Sequence, residues 1–209
     1  GYPIKAPMLD IHTVGAGGGS IAYVDSGGLL KVGPRSAGAD PGPVCYGRGN
    51  HEPTVTDANL LLGTLNPTHL LGGRMAVRRD LAEAAIGRLA AKLGLDVMAT
   101  AQGIIAVVTA NMARAIRVIS VQRGHDVTEY TLVCFGGAAG QHACLVADAL
   151  GMQTVYIHPL AGLLSAYGIG LADVTAMKQQ AVEVELRDDA LNDLTPAFAR
   201  MTVREALVA

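Results

Sequence analysis

Three groups of residues have types and spacing that can do chemistry. The first is Gly136, Gly137, Ala138 and Gly140, set between the apolar run Leu132-Val133-Cys134-Phe135 and the alanine-rich run Ala143 to Leu150. Glycine has no side chain to block a ligand's approach to the backbone. A helix following such a turn aims its first amides and its positive dipole end at phosphate or ribose oxygens. The same pattern also serves as a plain tight strand-to-helix connection. The second group is Asp10 and His12, two apart on an expected strand, so both point to one face. That pair suits a metal site or an acid/base couple, although two ligands are too few for a metal and an ordinary hydrogen bond explains it equally well. The third is Asp57 with Asn59, which either face a cleft or, for Asp57, cap a helix. His142 falls in the first turn after the glycines, as a packed, capping or ligand-contacting residue.

Other reactive types carry less. Ser20 lacks a neighbouring His/Asp arrangement, and Cys45 has no base and no positive neighbour beyond Arg48 to activate a thiol. Arg114 and Arg117 read as a solvated helix face. Cys45, Cys134 and Cys144 form no CxxC pair and leave an odd thiol, which points to a reducing, cytoplasmic setting. The formal charge of -2 provides no basic footprint for nucleic acid and no polybasic patch for a membrane surface. No uninterrupted apolar run approaches the roughly 20 residues of a membrane span. The best candidate, 103–110, is cut off by Asn111 and Arg114.

The elements that must position these residues follow from punctuation and periodicity. Half the residues are hydrophobic but only 4% are aromatic, so the core is built from Ala, Val, Leu and Ile, which favours an α/β or helical domain. Residues 1–33 read as β-rich: Ile11, Thr13 and Val14 in a strand, then a glycine break, then a hairpin turning at Ser26-Gly27-Gly28. That hairpin disposes of Gly15-x-Gly17 as a dinucleotide fingerprint, which must open a helix. Residues 34–54 form a long, shaped loop. Thr54 to Gly63 is a capped short helix, Leu70 to Met75 another loop, and Asp80-x-x-Glu83 a capping box for the helix ending at Gly94. Thr100 caps the longest helix, about 101–122. Strand 154–158 and a short helix from Leu163 follow, then an alternating strand over 181–186 and a helix over 190–207. The expected fold is α/β, a mixed sheet with helices packed on it plus an irregular loop-rich segment.

Five strings in the same order carry a family resemblance. They are Asp10 to Ser20, Val32 to Pro43, Thr54 to Leu60, Arg123-Gly124-His125-Asp126, and Phe135-Gly136-Gly137-Ala138-Ala139-Gly140-Gln141-His142-Ala143-Cys144. Together they resemble the hydantoinase A/5-oxoprolinase family over about residues 4–174. The Gln141-His142-Ala143-Cys144 ending and Leu163 to Gly168 resemble 5-oxoprolinases more than hydantoinase A subunits. The resemblance implies a ribonuclease-H-like domain of the actin-like ATPase kind. Residues 1–174 would be its C-terminal half and 175–209 the start of a following segment. It also implies ATP with Mg²⁺ as cofactors and ATP-driven opening of 5-oxoproline or a hydantoin. A hydantoinase A subunit, an acetone-carboxylase-type subunit and a non-catalytic docking module are the alternatives. By this resemblance Gly136, Gly137, Ala138 and Gly140 hold the nucleotide, with Asp10, His12 and Asp57 as catalytic candidates. The family's Gly-Gly-Thr phosphate-binding motifs are absent, so a missing N-terminal half or a partner subunit is expected to complete the site, and an exposed cleft face would favour homo-oligomers. On that expectation residues 1–209 alone neither hydrolyse ATP nor open 5-oxoproline.

Overall fold

The computed structural model describes residues 11–68, 70, 72–173, 180, 181, 183, 185 and 187–200. Strands β1 (Ser20–Val24) and β2 (Leu30–Ser36) form the expected antiparallel hairpin, with Ala22 opposite Val32 and Val24 opposite Leu30. Asp25 fixes its turn by accepting from the amides of Gly27 and Leu29, both at 2.9 Å. No strand forms over 11–14, and Asp10 lies outside the described residues. The long loop then runs from Ala37 through a single 3₁₀ turn, Val44–Tyr46, to helix α1 (Val55–Leu61).

Helices α2 (Arg79–Leu93) and α3 (Val97–Ile119) pack on α1 from two sides. The helix starts differ from those read in the sequence. Asp80 does not form a capping box; it pairs with Arg78, which holds the N-cap position without a side-chain cap bond. The cap of α3 is Asp96, accepting from the Ala99 amide at 2.8 Å, so the helix begins before Thr100.

Helix α3 is also long and apolar enough, by length and composition, to cross a membrane, contrary to the expectation from uninterrupted runs. The polar residues that break the run lie off its buried stripe. Ile104 and Val108 are fully buried, while Arg114 and Arg117 are exposed and Asn111 donates to the Val32 carbonyl of β2 at 3.3 Å. Its buried stripe packs into both core clusters.

Two clusters make the core. Val55, Leu60, Ile86, Ile104 and Val108 fill the first, between the hairpin and α1–α3. Ala113, Val146, Leu150 and Met152 fill the second, where α3 meets α4 (Ala143–Leu150) and the parallel pair β3 (Thr131–Cys134) and β4 (Thr154–Ile157). Among the described residues the strands thus form two small pairs, bridged by α3.

The chain divides into Gly1–Leu164 and Ser165–Ala209. The second unit contains α6 (Ala190–Arg200) and most of α5 (Leu164–Leu171). The expected strand over 181–186 falls partly outside the described residues, and 181, 183 and 185 are not in a strand.

Arg35 reaches Glu52 at 2.7 Å across the long loop, with both side chains about half exposed. Exposed pairs contribute little because water and salt screen them. Arg35→Ala should therefore leave the urea unfolding midpoint almost unchanged. A clear fall would show that the pair organises the loop.

Candidate functional site

Helix α1 is short but almost wholly buried, and its polar residues organise two distant segments. Thr54 and Asp57 form a reciprocal capping box at its start. Asp57 does more than cap. Its Oδ2 accepts from the Thr54 amide (2.8 Å), the Thr54 hydroxyl (2.8 Å) and the Val44 amide (3.1 Å), and its Oδ1 accepts from the Cys45 amide (2.7 Å). The carboxylate is fully buried. It is a clamp that pins the long loop to α1, and the geometry favours this role over the catalytic one. Beside it, burial and the Asp57 charge push the Cys45 thiol well above its ordinary pKa. At the other end of α1, Arg79 donates to the Leu60 and Leu61 carbonyls at 3.0 Å each.

Asn59, one turn along α1 from Val55, reaches the glycine turn. Its Nδ2 donates to Gln141 Oε1 at 2.7 Å and lies 3.4 Å from His142 Nε2. This contact spans more than 80 residues of sequence, and no local pattern announced it. His142 is the N-cap residue of α4 and is buried. The helix expected directly after the glycines starts later, because a 3₁₀ turn (Ala139–Gln141) intervenes.

That intervening turn leaves the glycine segment open. Gly136 has φ +94°, in the region where only glycine is unstrained, and its amide donates to the Ala161 carbonyl at 2.8 Å. The amides of Gly137, Ala138, Ala139 and Gly140 have no acceptor among the described residues. A Cβ built on Gly137 or Gly140 would meet open space. Successive free amides make a concavity for anionic or carbonyl oxygens. The cradle is built from the turn itself, more than from the dipole of α4.

The turn has a cavity on each side. One, of about 530 Å³, is lined by Met112, Ile116 and Ile119 of α3, by β3, and by Ala138, His142 and His12. The other, of about 590 Å³, is lined by Gly18 and Gly19, the long loop with Tyr46 and Arg48, Thr56, Gly137, Ala138 and Gln141. Two glycine loops therefore face each other. Thr56 holds the first by donating from its hydroxyl and its amide to the Gly18 carbonyl, both at 2.9 Å. The Arg48 guanidinium lies 5.8 Å from the centre of the Tyr46 ring and donates to the Ala39 carbonyl at 3.3 Å.

Of the sequence candidates, the structure brings His12, Ala138 and His142 to one cavity. It sets Asp57 apart as a clamp, and Asp10 lies outside the described residues. The expected face shared by Asp10 and His12 has no strand to create it at 11–14. Arg117, read as solvated, is exposed yet donates to the Ala149 carbonyl at 2.7 Å, tying α3 to the end of α4.

Comparison with known proteins decides the family. The profile described as hydantoinase/oxoprolinase matches residues 1–178. The chain belongs to this family. A caprolactamase alpha subunit from Pseudomonas jessenii is 46% identical over 206 residues, covering 97% of this chain and 30% of that subunit. A 5-oxoprolinase from Dictyostelium discoideum is 44% identical over 195 residues, covering 86% of this chain and 15% of the relative. The crystal structure of the ATP-dependent caprolactamase superposes with a TM-score of 0.74 at 49% identity, over 79% of this chain and 24% of that one. A nucleotide-free acetone carboxylase superposes with a TM-score of 0.71 at 32% identity, over 77% and 23%. The hydantoinase/oxoprolinase domain thus has the ribonuclease-H-like α/β fold of the actin-like ATPases, and it spans under a third of the length of these relatives. The lean toward 5-oxoprolinase drawn from Gln141 to Cys144 is not singled out, since the caprolactamase subunit matches at least as well.

The three thiols of the hydantoinase/oxoprolinase domain are free. Cys144 is exposed, whereas Cys45 and Cys134 are buried with their pKa values raised mainly by burial. Iodoacetamide should therefore modify Cys144 well before the other two in native protein, followed by peptide mass spectrometry. Equal rates at all three would contradict the packing.

Proposed function

We propose that this domain is the nucleotide-side jaw of an ATP-dependent enzyme acting on cyclic amides, with the nucleotide held at Gly136, Gly137, Ala138 and Gly140. The observation that carries it is the run of four amides, without an acceptor among the described residues, between two cavities. ATP would transfer its γ-phosphoryl group to the amide oxygen, releasing ADP. Water would add to the activated carbon, and the C–N bond would break with a proton going to the ring nitrogen. A second water would hydrolyse the acyl phosphate to carboxylate and phosphate. The chain's own contribution is binding and orientation: the glycine amides meet nucleotide oxygens, and the Gly18–Gly19 loop closes the opposite wall. Mg²⁺ would enter bound to the phosphates. Among the described residues no group of three His, Cys, Asp or Glu side chains is set to hold a metal. The substrate class is a lactam or hydantoin, with caprolactam-like rings favoured over 5-oxoproline by the comparisons. A carboxylase-type subunit is the alternative favoured by the acetone carboxylase likeness. His12 and Asp10 remain the catalytic candidates, and free thiols fit a cytoplasmic setting.

Isotope-edited NMR of the chain with ADP tests the site. Shifts centred on 136–140 at millimolar ADP or below are expected. Saturating ADP that leaves those amides unmoved would remove the assignment.

One observation supports docking as well. Parallel sheets are normally covered on both faces, yet Val133, Phe135 and Tyr156, on one face of the β3–β4 pair, are about half exposed. This face is the proposed seat for the remainder of the enzyme, a partner subunit or a second copy. A monomeric full-length enzyme whose β3–β4 amides exchange freely with solvent would refute it.

A further inference from the structure

Helix α1 holds three segments that come from distant parts of the chain. Asp57 grips the long loop at Val44 and Cys45. Thr56 donates to the Gly18 carbonyl from both its amide and its hydroxyl. Asn59 donates to Gln141 Oε1, and the Gln141 amide in turn donates to the Ala138 carbonyl at 3.1 Å, inside the second glycine segment. Thr56 and Asn59 are three residues apart and so lie on one face of the helix. That face meets both glycine loops.

The helix is a firm anchor for them. A helix of seven residues is not stable by itself, but Val55, Ala58 and Leu60 are fully buried, and α2 and α3 pack on it. The two glycine loops also come close to each other. A Cβ placed on Gly18 would lie 2.8 Å from Thr56 Oγ1 and 3.7 Å from the Ala138 Cβ. The first distance is a clash, so a bare backbone is what lets this loop sit down on Thr56. The second is ordinary van der Waals range, so Ala138 of the second segment lies just beyond the first loop. The facing walls of the cavity of about 590 Å³ are thus both set by one helix.

We infer that Thr56 and Asn59 are positioning residues, which hold the Gly18 loop and the Gly137–Gly140 turn at the spacing that the ATP-driven reaction needs. The inference rests on the nucleotide reading above and adds what keeps the two walls of that site in place. Displacing reacting groups by about 1 Å costs on the order of 100-fold in rate. A nucleotide gripped by the turn alone keeps most of its affinity. The signature is therefore a fall in kcat with ADP binding retained.

The test is steady-state ATP hydrolysis by the full-length enzyme, with caprolactam, 5-oxoproline or acetone as co-substrate, beside calorimetry with ADP. Asn59→Leu removes the donor at similar volume, and Thr56→Val removes the hydroxyl. Each should lower kcat about tenfold while the Kd for ADP moves by less than about threefold. Thr56→Ser keeps the hydroxyl and should stay within about twofold of the native rate. Because both residues act on one spacing, the double variant should lie near the single ones, whereas independent effects would multiply to about 100-fold. If Asn59→Leu does not fold, Gln141→Leu cuts the same bond from the side of the turn, at a partly buried position. Native kcat in the single variants, a multiplied loss in the double variant, or a Kd for ADP that rises as far as kcat falls would each overturn the inference and leave the nucleotide reading standing. ADP shifts of the native enzyme that avoid 136–140 would sink that reading and the inference with it.

Discussion

Asp57→Ala should lower the unfolding free energy by about 4 kcal/mol and shift the urea midpoint strongly downward. The carboxylate receives four donors in a fully buried site: the amides of Val44, Cys45 and Thr54, and the Thr54 hydroxyl. Removing it strands them, at about 1–3 kcal/mol for each buried group left unmet, less whatever local relaxation recovers. A lost helix cap adds about 1 kcal/mol. Domains of this size are stable by only about 5–15 kcal/mol, so the loss is a large share of the total. Asp57→Asn keeps the shape and one acceptor oxygen and should cost roughly half as much. Urea unfolding reads both variants, with the midpoint falling and the slope unchanged. A variant of normal stability that stops turnover in the full-length enzyme would restore the catalytic reading of Asp57.

Gly137→Asp should cost nucleotide affinity at least about 100-fold, near 2.7 kcal/mol, with little change in stability. The two effects separate because of the local geometry. A Cβ at this position meets open space, and the backbone there is not in the glycine-only region. The new carboxylate would sit among the free amides and compete for them while repelling phosphate. Gly136→Asp offers the contrast, because its φ of +94° makes any side chain strained and stability should fall as well. Titration of both variants with ADP, alongside thermal melts, distinguishes a lost site from a lost fold. Unchanged affinity in Gly137→Asp would place the nucleotide elsewhere.

Periodicity and punctuation were enough to locate the hairpin, α1 with its Thr54 cap, α2 to its glycine stop, and the strand, turn and helix around Gly136. These are local decisions: turn residues, caps and apolar spacing act within a few positions of one another. Helix starts were less legible, as Asp80 and Thr100 show. Several residues compete for each cap, and the winner depends on where the preceding chain arrives.

The site itself was decided by tertiary structure. Gly136 to Gly140 stood out as a place without side chains, with a helix expected directly after it. A 3₁₀ turn, Ala139–Gln141, stands there, and α4 starts only at Ala143. Asp57 carried two readings because its sequence neighbourhood shows the Thr54 cap but cannot show Val44 and Cys45 folding back onto the same carboxylate. His142 was undecidable for the same reason, since the polar group it meets, Asn59, lies 83 residues earlier. Local sequence determined which elements form and where the backbone is bare. Only the packing of α1 against loop and turn decided which polar groups are satisfied and which are left to meet a ligand, because that balance is struck between residues distant along the chain.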